Sequence, residues 1–387
     1  MALKIHDRFP GANVRVLHLD TSGEKPEVCF TADPMGGTEA LWFNFKLHDA
    51  APEPIVPETL TVTLRFVETL LGGYDPATVR PVLHEQGKNW IRLRAPVVRI
   101  EPDGQSLLSW SIPYPLTPTS FAVCLPYGTD ELETTLKHCR GYWQTGGIGL
   151  TQNGRVMQRL SNDILKGCDA CANPHGLYLL ARQHAGETPG SWVMDGMLDA
   201  FSRAKPVNWC VWVVPFANFD DVMRGAYGKD PFPYDLNRAW GDPPMRHETL
   251  VLQHDLREWA RRCNPELVLD LHAPGLSENV GVYAFAAGSQ DAAWEKANQA
   301  WLNLFNQALA PDYAAERFCR RADYPSRWET PRLAHFVESK IGCSAISLET
   351  PYALIGNTPL LQKQYREIGH RIARAILTRW GKAAAGG

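Results

Sequence analysis

Gly176-Leu-Tyr-Leu-Leu-Ala-Arg182 runs on through Gln183-His-Ala-Gly-Glu187 and Thr188-Pro-Gly-Ser191, and this pattern of strand, turn and helix start points to one architecture. Its first seven residues form a short, nearly continuous apolar run. That is the pattern of a strand buried on both faces of a parallel sheet. The Thr-Pro-Gly-Ser cluster then opens a helix, with Ser191 as its cap and Trp192 to Ala204 at helical spacing. His184 and Glu187 therefore fall between a strand end and a helix start, where open α/β sheets gather ligands and catalytic groups.

Two further runs read the same way. Glu266-Leu-Val-Leu-Asp-Leu271 leads to His272, and Cys343-Ser-Ala-Ile-Ser-Leu348 leads to Glu349. A fourth island, Asp235-Leu-Asn237-Arg238, lies between them in the chain. A zinc ion kept open for catalysis takes three protein ligands of the two-His, one-carboxylate kind. His184, Glu187 and His272 meet that count, with one Zn2+ per chain. Glu349 is then the carboxylate left to move the proton of an attacking water. Arg238 offers a planar, permanent charge for a substrate carboxylate, with Asn237 beside it. Together these groups make an inventory for cutting at a C-terminus.

One His-x-x-Glu match is weak by itself, because 12 His in 387 residues give about one by chance. A second, His335-Phe-Val-Glu338, sits in a stretch from Pro331 to Lys340 that reads as a short amphipathic helix, where i,i+3 neighbours are ordinary surface pairs. Strand-end context separates the first match from the second. Asn237 as a turn residue and Arg238 as a surface ion pair are the bland alternatives for the fourth island.

The balance of 39 basic against 42 acidic residues gives no global field for nucleic acid or an anionic membrane. No stretch reaches the roughly 18 apolar residues of a membrane span, and Met1 to Arg8 lacks a signal-peptide core. A cytoplasmic protein is expected, with its nine cysteines as reduced thiols. Cys168-Asp-Ala-Cys171 has no second pair with which to form a structural zinc site.

Before about residue 125 the chain shows short alternating runs such as Thr59 to Phe66, Asn89 to Leu93 and Ser106 to Ser111, broken by Pro, Gly and Asp. These predict a β-sandwich. After it, apolar runs alternate with helical stretches, Glu248 to Arg262, Gln290 to Ala310 and Gln362 to Arg379, which predicts an α/β architecture.

Ala181-Arg-Gln-His-Ala-Gly-Glu187 with Ser191-Trp-Val-Met-Asp-Gly196, Tyr234-Asp-Leu-Asn-Arg238 with Trp240, and Ser347-Leu-Glu349 resemble the zinc metallocarboxypeptidases, in their cytosolic, deglutamylase-like branch. Upstream, Ser120 to Tyr127 and Tyr74 to Arg92 resemble that branch's extra N-terminal β domain. The resemblance runs from about residue 10 to about 375. It implies an α/β fold with a mixed sheet flanked by helices (126–387) behind an antiparallel β-sandwich domain (1–125). It further implies that Asp235 orients His184, as a carboxylate fixes a ligand imidazole's tautomer. Arg224 is matched to the arginine that polarises the scissile carbonyl, and Tyr324 to the tyrosine over the active site. Where the family reads Asn-Pro-Asp-Gly this chain has Asn218-Phe-Asp-Asp221, and the stretch from Arg224 to Asn237 departs from the family's length.

Removal of glutamates from protein tails, known in the cytosolic branch, implies a basic group for the departing residue. Arg320, Arg321, Arg327 and Arg332 precede Glu349, and Arg332 is the most family-like. The partner expected is thus a peptide or protein C-terminus, with Glu or Asp favoured. Two rival classes stand beside this reading: a zinc amidase or deacylase acting on a small N-acyl amino acid or cell-wall peptide, and a binding module with a vestigial site. An intact Glu349 argues against the latter.

Overall fold

The computed structural model describes residues 3–384, apart from 22–24, 50–56, 71–74, 163–172, 230, 232–233, 287–291 and 322–328. Cys168, Cys171, Arg327 and Tyr324 lie outside the described residues.

Residues up to 122 build two five-stranded sheets. The first orders strands Leu3–His6, Asn44–Asp49, Thr119–Ala122, Val82–Glu85 and Ile91–Arg92, all antiparallel. The second orders Arg15–Asp20, Glu27–Thr31, Thr59–Leu64, Ser106–Pro113 and Val97–Ile100. It departs from the expected antiparallel pattern at one place, where Glu27–Thr31 and Thr59–Leu64 run parallel. Between those two strands the chain crosses to the other sheet to form Asn44–Asp49, so it re-enters in the same direction. Phe30 of one sheet meets Phe45 and Phe121 of the other with ring centroids 5.0 and 5.9 Å apart, edge to face, so the two sheets pack through an aromatic core.

From residue 144 the chain forms one eight-stranded sheet, in the order Gln144–Leu150, Val156–Ser161, Trp209–Val214, His175–Ala181, Asn264–His272, Ser344–Glu349, Val282–Ala286, Ala314–Arg320. The four central strands are parallel, while Val282–Ala286 runs antiparallel to Ser344–Glu349. The sheet is therefore mixed, as the resemblance implied.

The continuous apolar runs predicted burial on both faces, and the side chains divide accordingly. Leu177, Leu179 and Ala181 join one buried cluster and Tyr178 and Leu180 the other. Burying each such leucine contributes about 1.5–3 kcal/mol. Helices Thr188–Ala204, Ala292–Leu309 and Gln362–Ala384 cover the first face, and His247–Ala260 the second. The first cluster continues without a break into the core of the N-terminal sheets.

The helix after Glu187 begins at Thr188, three residues before the expected cap. Pro189 suits a first turn, where its missing N–H costs nothing. Ser191 lies inside that turn, and its hydroxyl accepts from the Arg182 guanidinium at 3.3 Å. This helix packs on the last one so closely that a Cβ on Gly196 would sit 2.1 Å from the Arg366 carbonyl oxygen.

Candidate metal centre and catalytic site

The three central strands end side by side, and register places the key residues. His272 and Glu349 are directly paired across adjacent parallel strands. His184 arrives from the 175–181 strand through a turn that Arg182 shapes. Arg182 adopts φ +64°, a left-handed conformation costing a non-glycine residue about 1–3 kcal/mol. Its buried guanidinium ties the turn together, donating to the carbonyls of Ala185 (2.6 Å) and Tyr127 (2.8 Å).

His184, Glu187 and His272 are buried, with one potential ligand atom from each lying within 4.8 Å of the others. His184 Nδ1 is 2.7 Å from Glu187 Oε1, and His272 Nδ1 is 2.8 Å from Glu187 Oε2. Both imidazoles thus aim the same nitrogen at one centre. Their Nε2 atoms face outward to carboxylates, His184 to Asp235 at 3.1 Å and His272 to Asp270 at 2.7 Å.

Burial works against a charged ring, yet Glu187 and Asp235 outweigh it and lift His184 to about 9. For His272 burial is likewise overcome, by Asp270 and Glu187. Burial would raise Glu187, but the two imidazoles hold it well below the usual carboxylate range.

The donor set suits zinc. Two imidazole nitrogens and one carboxylate form the open catalytic type, and both outward nitrogens already have the carboxylate partners that fix a ligand ring.

Asp235 also caps the short turn 236–238, accepting from the Asn237 backbone N–H at 2.6 Å. Asn237 is buried, its Nδ2 3.3 Å from His272 Nε2 and its Oδ1 accepting from the Leu333 N–H at 3.2 Å. Arg238 is half-buried beside it and donates to the Asn237 carbonyl at 2.8 Å. The Thr330 hydroxyl donates to the Arg238 carbonyl, and the Trp240 N–H to the Pro331 carbonyl at 3.2 Å. The turn carrying Arg332 therefore packs directly on the Asn237–Arg238 turn.

Glu349 stands outside the ligand trio. Removal from water pushes its carboxyl up to about 7, Glu187 adds to the rise, and His272, Lys229 and His184 oppose it. Its antiparallel neighbour is Tyr283, whose hydroxyl donates to Glu278 at 3.0 Å. Arg320 lies 3.5 Å over the Tyr283 ring and is held by the same Glu278 at 3.0 Å.

Arg224 is placed differently. Its side chain is 58 % exposed and anchored to Asp221 at 2.6 Å. It lines a cavity with Arg246 and Glu248, whose lining includes none of His184, Glu187, His272 and Glu349. His335 is exposed, and Glu338 accepts from Asn298 at 2.9 Å.

Two contributors carried no role in the sequence reading. Asp270 lies in the 266–271 run, and its i,i+2 spacing to His272 is the signal that marks it. Gln183 bridges Asp270 (2.6 Å) and the Trp240 indole (2.8 Å), bracing the ring from behind.

The fold is shared with metallocarboxypeptidases of known structure. The structure superposes on a metallo-carboxypeptidase from Burkholderia cenocepacia with a TM-score of 0.77, covering 99 % of this chain and 100 % of that one at 18 % identity. A metallo-carboxypeptidase from Pseudomonas aeruginosa, solved with (2-guanidinoethylmercapto)succinic acid, matches with a TM-score of 0.72 over 97 % and 99 % of the two chains, at 18 % identity. In sequence the chain is similar to cytosolic carboxypeptidases. It is 23 % identical to "Cytosolic carboxypeptidase 6" of Caenorhabditis elegans, over 89 % of this chain and 80 % of that protein. No family model matches the chain. Among the described residues no helix is long and apolar enough to cross a membrane.

Proposed function

We propose that the protein is a zinc-dependent carboxypeptidase that hydrolyses the last amide bond of peptides or protein tails in the cytoplasm. The observation that carries this reading is the buried convergence of His184, Glu187 and His272, with Glu349 beside them on the next strand and outside the trio. A bound zinc ion would supply Lewis-acid activation of water and of the scissile carbonyl.

The protein's own residues do the rest. Glu349 takes a proton from the attacking water and returns it to the departing amine. A carboxyl held near neutrality can do both. Arg238 and Asn237 hold the substrate's terminal carboxylate, and Asp235 and Asp270 keep the two imidazoles oriented. Tyr324, matched to the family's active-site tyrosine, belongs to the same proposal as a substrate-binding residue.

Preference for C-terminal Glu or Asp belongs to the same proposal, with Arg332 as the selecting cation. Two observations support it. Its turn packs against the Asn237–Arg238 turn, and its side chain is half-buried there instead of fully solvated. Arg320 is already held by Glu278.

A peptide pool varied at its last residue tests this, using zinc-loaded and chelated protein. Release of single C-terminal residues by the loaded protein alone, fastest for Glu and Asp, is the expected result. Equal release of Leu and Lys would remove the acidic preference. No release from fully metallated protein would turn the assignment to an amidase of small N-acyl amino acids.

A further inference from the structure

The segment after Arg224 runs directly over the metal-binding turn. The Gly186 N–H donates to the Tyr227 carbonyl at 2.8 Å. A Cβ on Gly228, which has φ +76°, would lie 2.9 Å from the Ala185 nitrogen, so the chain passes this close only as glycine. The next residue, Lys229, is half-buried, with its ammonium 3.1 Å from Glu39 Oε2. Glu39 comes from the N-terminal region, in the loop before strand Asn44–Asp49. That loop touches the same segment, since a Cβ on Gly37 would be 3.2 Å from the Lys229 carbonyl oxygen.

Lys229 acts electrostatically on Glu39, Glu187 and Glu349. Glu187 bridges the two imidazoles and Glu349 stands at the neighbouring strand end. The backbone bond to Gly186 and the close pass over Ala185 set this cation's segment against the turn that carries His184 and Glu187. Arg224, exposed and bound to Asp221, faces a different cavity.

We propose that Lys229, positioned by Glu39 of the N-terminal region, is the catalytic cation that stabilises the oxyanion at the scissile carbonyl, in place of Arg224. The proposal rests on the carboxypeptidase reading above. As the water oxygen bonds to the carbonyl carbon, the C=O π pair moves onto oxygen, and the Lys229 ammonium donates a hydrogen bond to that charge. The pair returns as the C–N bond breaks, while Glu349 delivers its proton to the amine. An ammonium has three donors, so Lys229 can keep Glu39 and still reach the oxyanion. The N-terminal sheets then complete the catalytic centre.

The test uses the full, zinc-loaded chain, reading kcat and KM on a released peptide and the calorimetric affinity for a phosphonate dipeptide whose tetrahedral anion mimics the intermediate. Lys229→Met should lower kcat about 100-fold or more, with KM within about threefold and zinc content intact, and weaken the phosphonate comparably. Lys229→Arg should recover most of both. Arg224→Met should cost at least about tenfold less than Lys229→Met, and Glu39→Gln should fall between them with the same kcat-led split. If Lys229→Met fails to load zinc, Lys229→Gln, uncharged and polar, should show that split. Lys229 variants matching the wild type in kcat and phosphonate affinity, or a larger loss at Arg224, would overturn the assignment while leaving the peptidase intact. A wild-type protein that neither releases amino acids nor binds the phosphonate would sink the peptidase reading, and the role of Lys229 with it.

Discussion

His184-Ala-Gly-Glu187 and His335-Phe-Val-Glu338 carry the same two residues at the same spacing, and the fold treats them oppositely. The first lies between a buried strand and a helix start, with both side chains buried and His184 Nδ1 2.7 Å from Glu187. The second lies on a short helical segment, with His335 exposed and Glu338 turned to Asn298. A pattern becomes a metal-site candidate when the sheet brings a third ligand to it. His272 and the outer carboxylates Asp235 and Asp270 converge on the first pair, and among the described residues no third ligand joins the second.

The widest separation between the two motifs should come from removing a ligand. His184→Ala should reduce bound zinc from about one per chain to below about a tenth, since two protein ligands do not hold a catalytic ion. Activity should fall to that of chelated protein, as elemental analysis and peptide turnover together would show. Glu349→Gln should keep full metal content and lose about three orders of magnitude in kcat, in the range of a lost acid/base group. Retained turnover in the metallated variant would exclude that role. Asp270→Asn should weaken zinc about 10- to 100-fold in a competitive chelator titration, because the His272 ring would lose its carboxylate partner. His335→Ala with Glu338→Ala should leave zinc affinity and kcat within about twofold and stability within about 1 kcal/mol, as expected of a half-exposed pair.

Much of this site was legible in the sequence because the signals are local. The runs 176–182, 266–271 and 343–348 are too apolar to face water, so each had to be a buried strand. Such strands deliver whatever follows them to one edge of the sheet. The helix starts ahead of Ser191 because Thr188 and Pro189 already take up its first turn after Glu187, so the serine is not needed as a cap.

The mixed strand order was not readable from local pattern. The antiparallel insertion of Val282–Ala286 beside Ser344–Glu349 is decided by pairing across more than fifty residues. The parallel pair in the N-terminal sheets has the same origin, since it depends on a crossover into the opposite sheet. Lys229 escaped notice because its significance comes from Glu39, nearly two hundred residues earlier, and from a glycine contact with Ala185.

In the proposed function the substrate's free C-terminal carboxylate is recognised beside a metal held by His184, Glu187 and His272. The most direct measurement compares a peptide ending in a free carboxylate with the same peptide capped as its amide, using zinc-loaded protein. Capping should slow cleavage at least about 100-fold, through the lost charge-assisted contacts to Arg238 and Asn237. Equal cleavage of the two would contradict it.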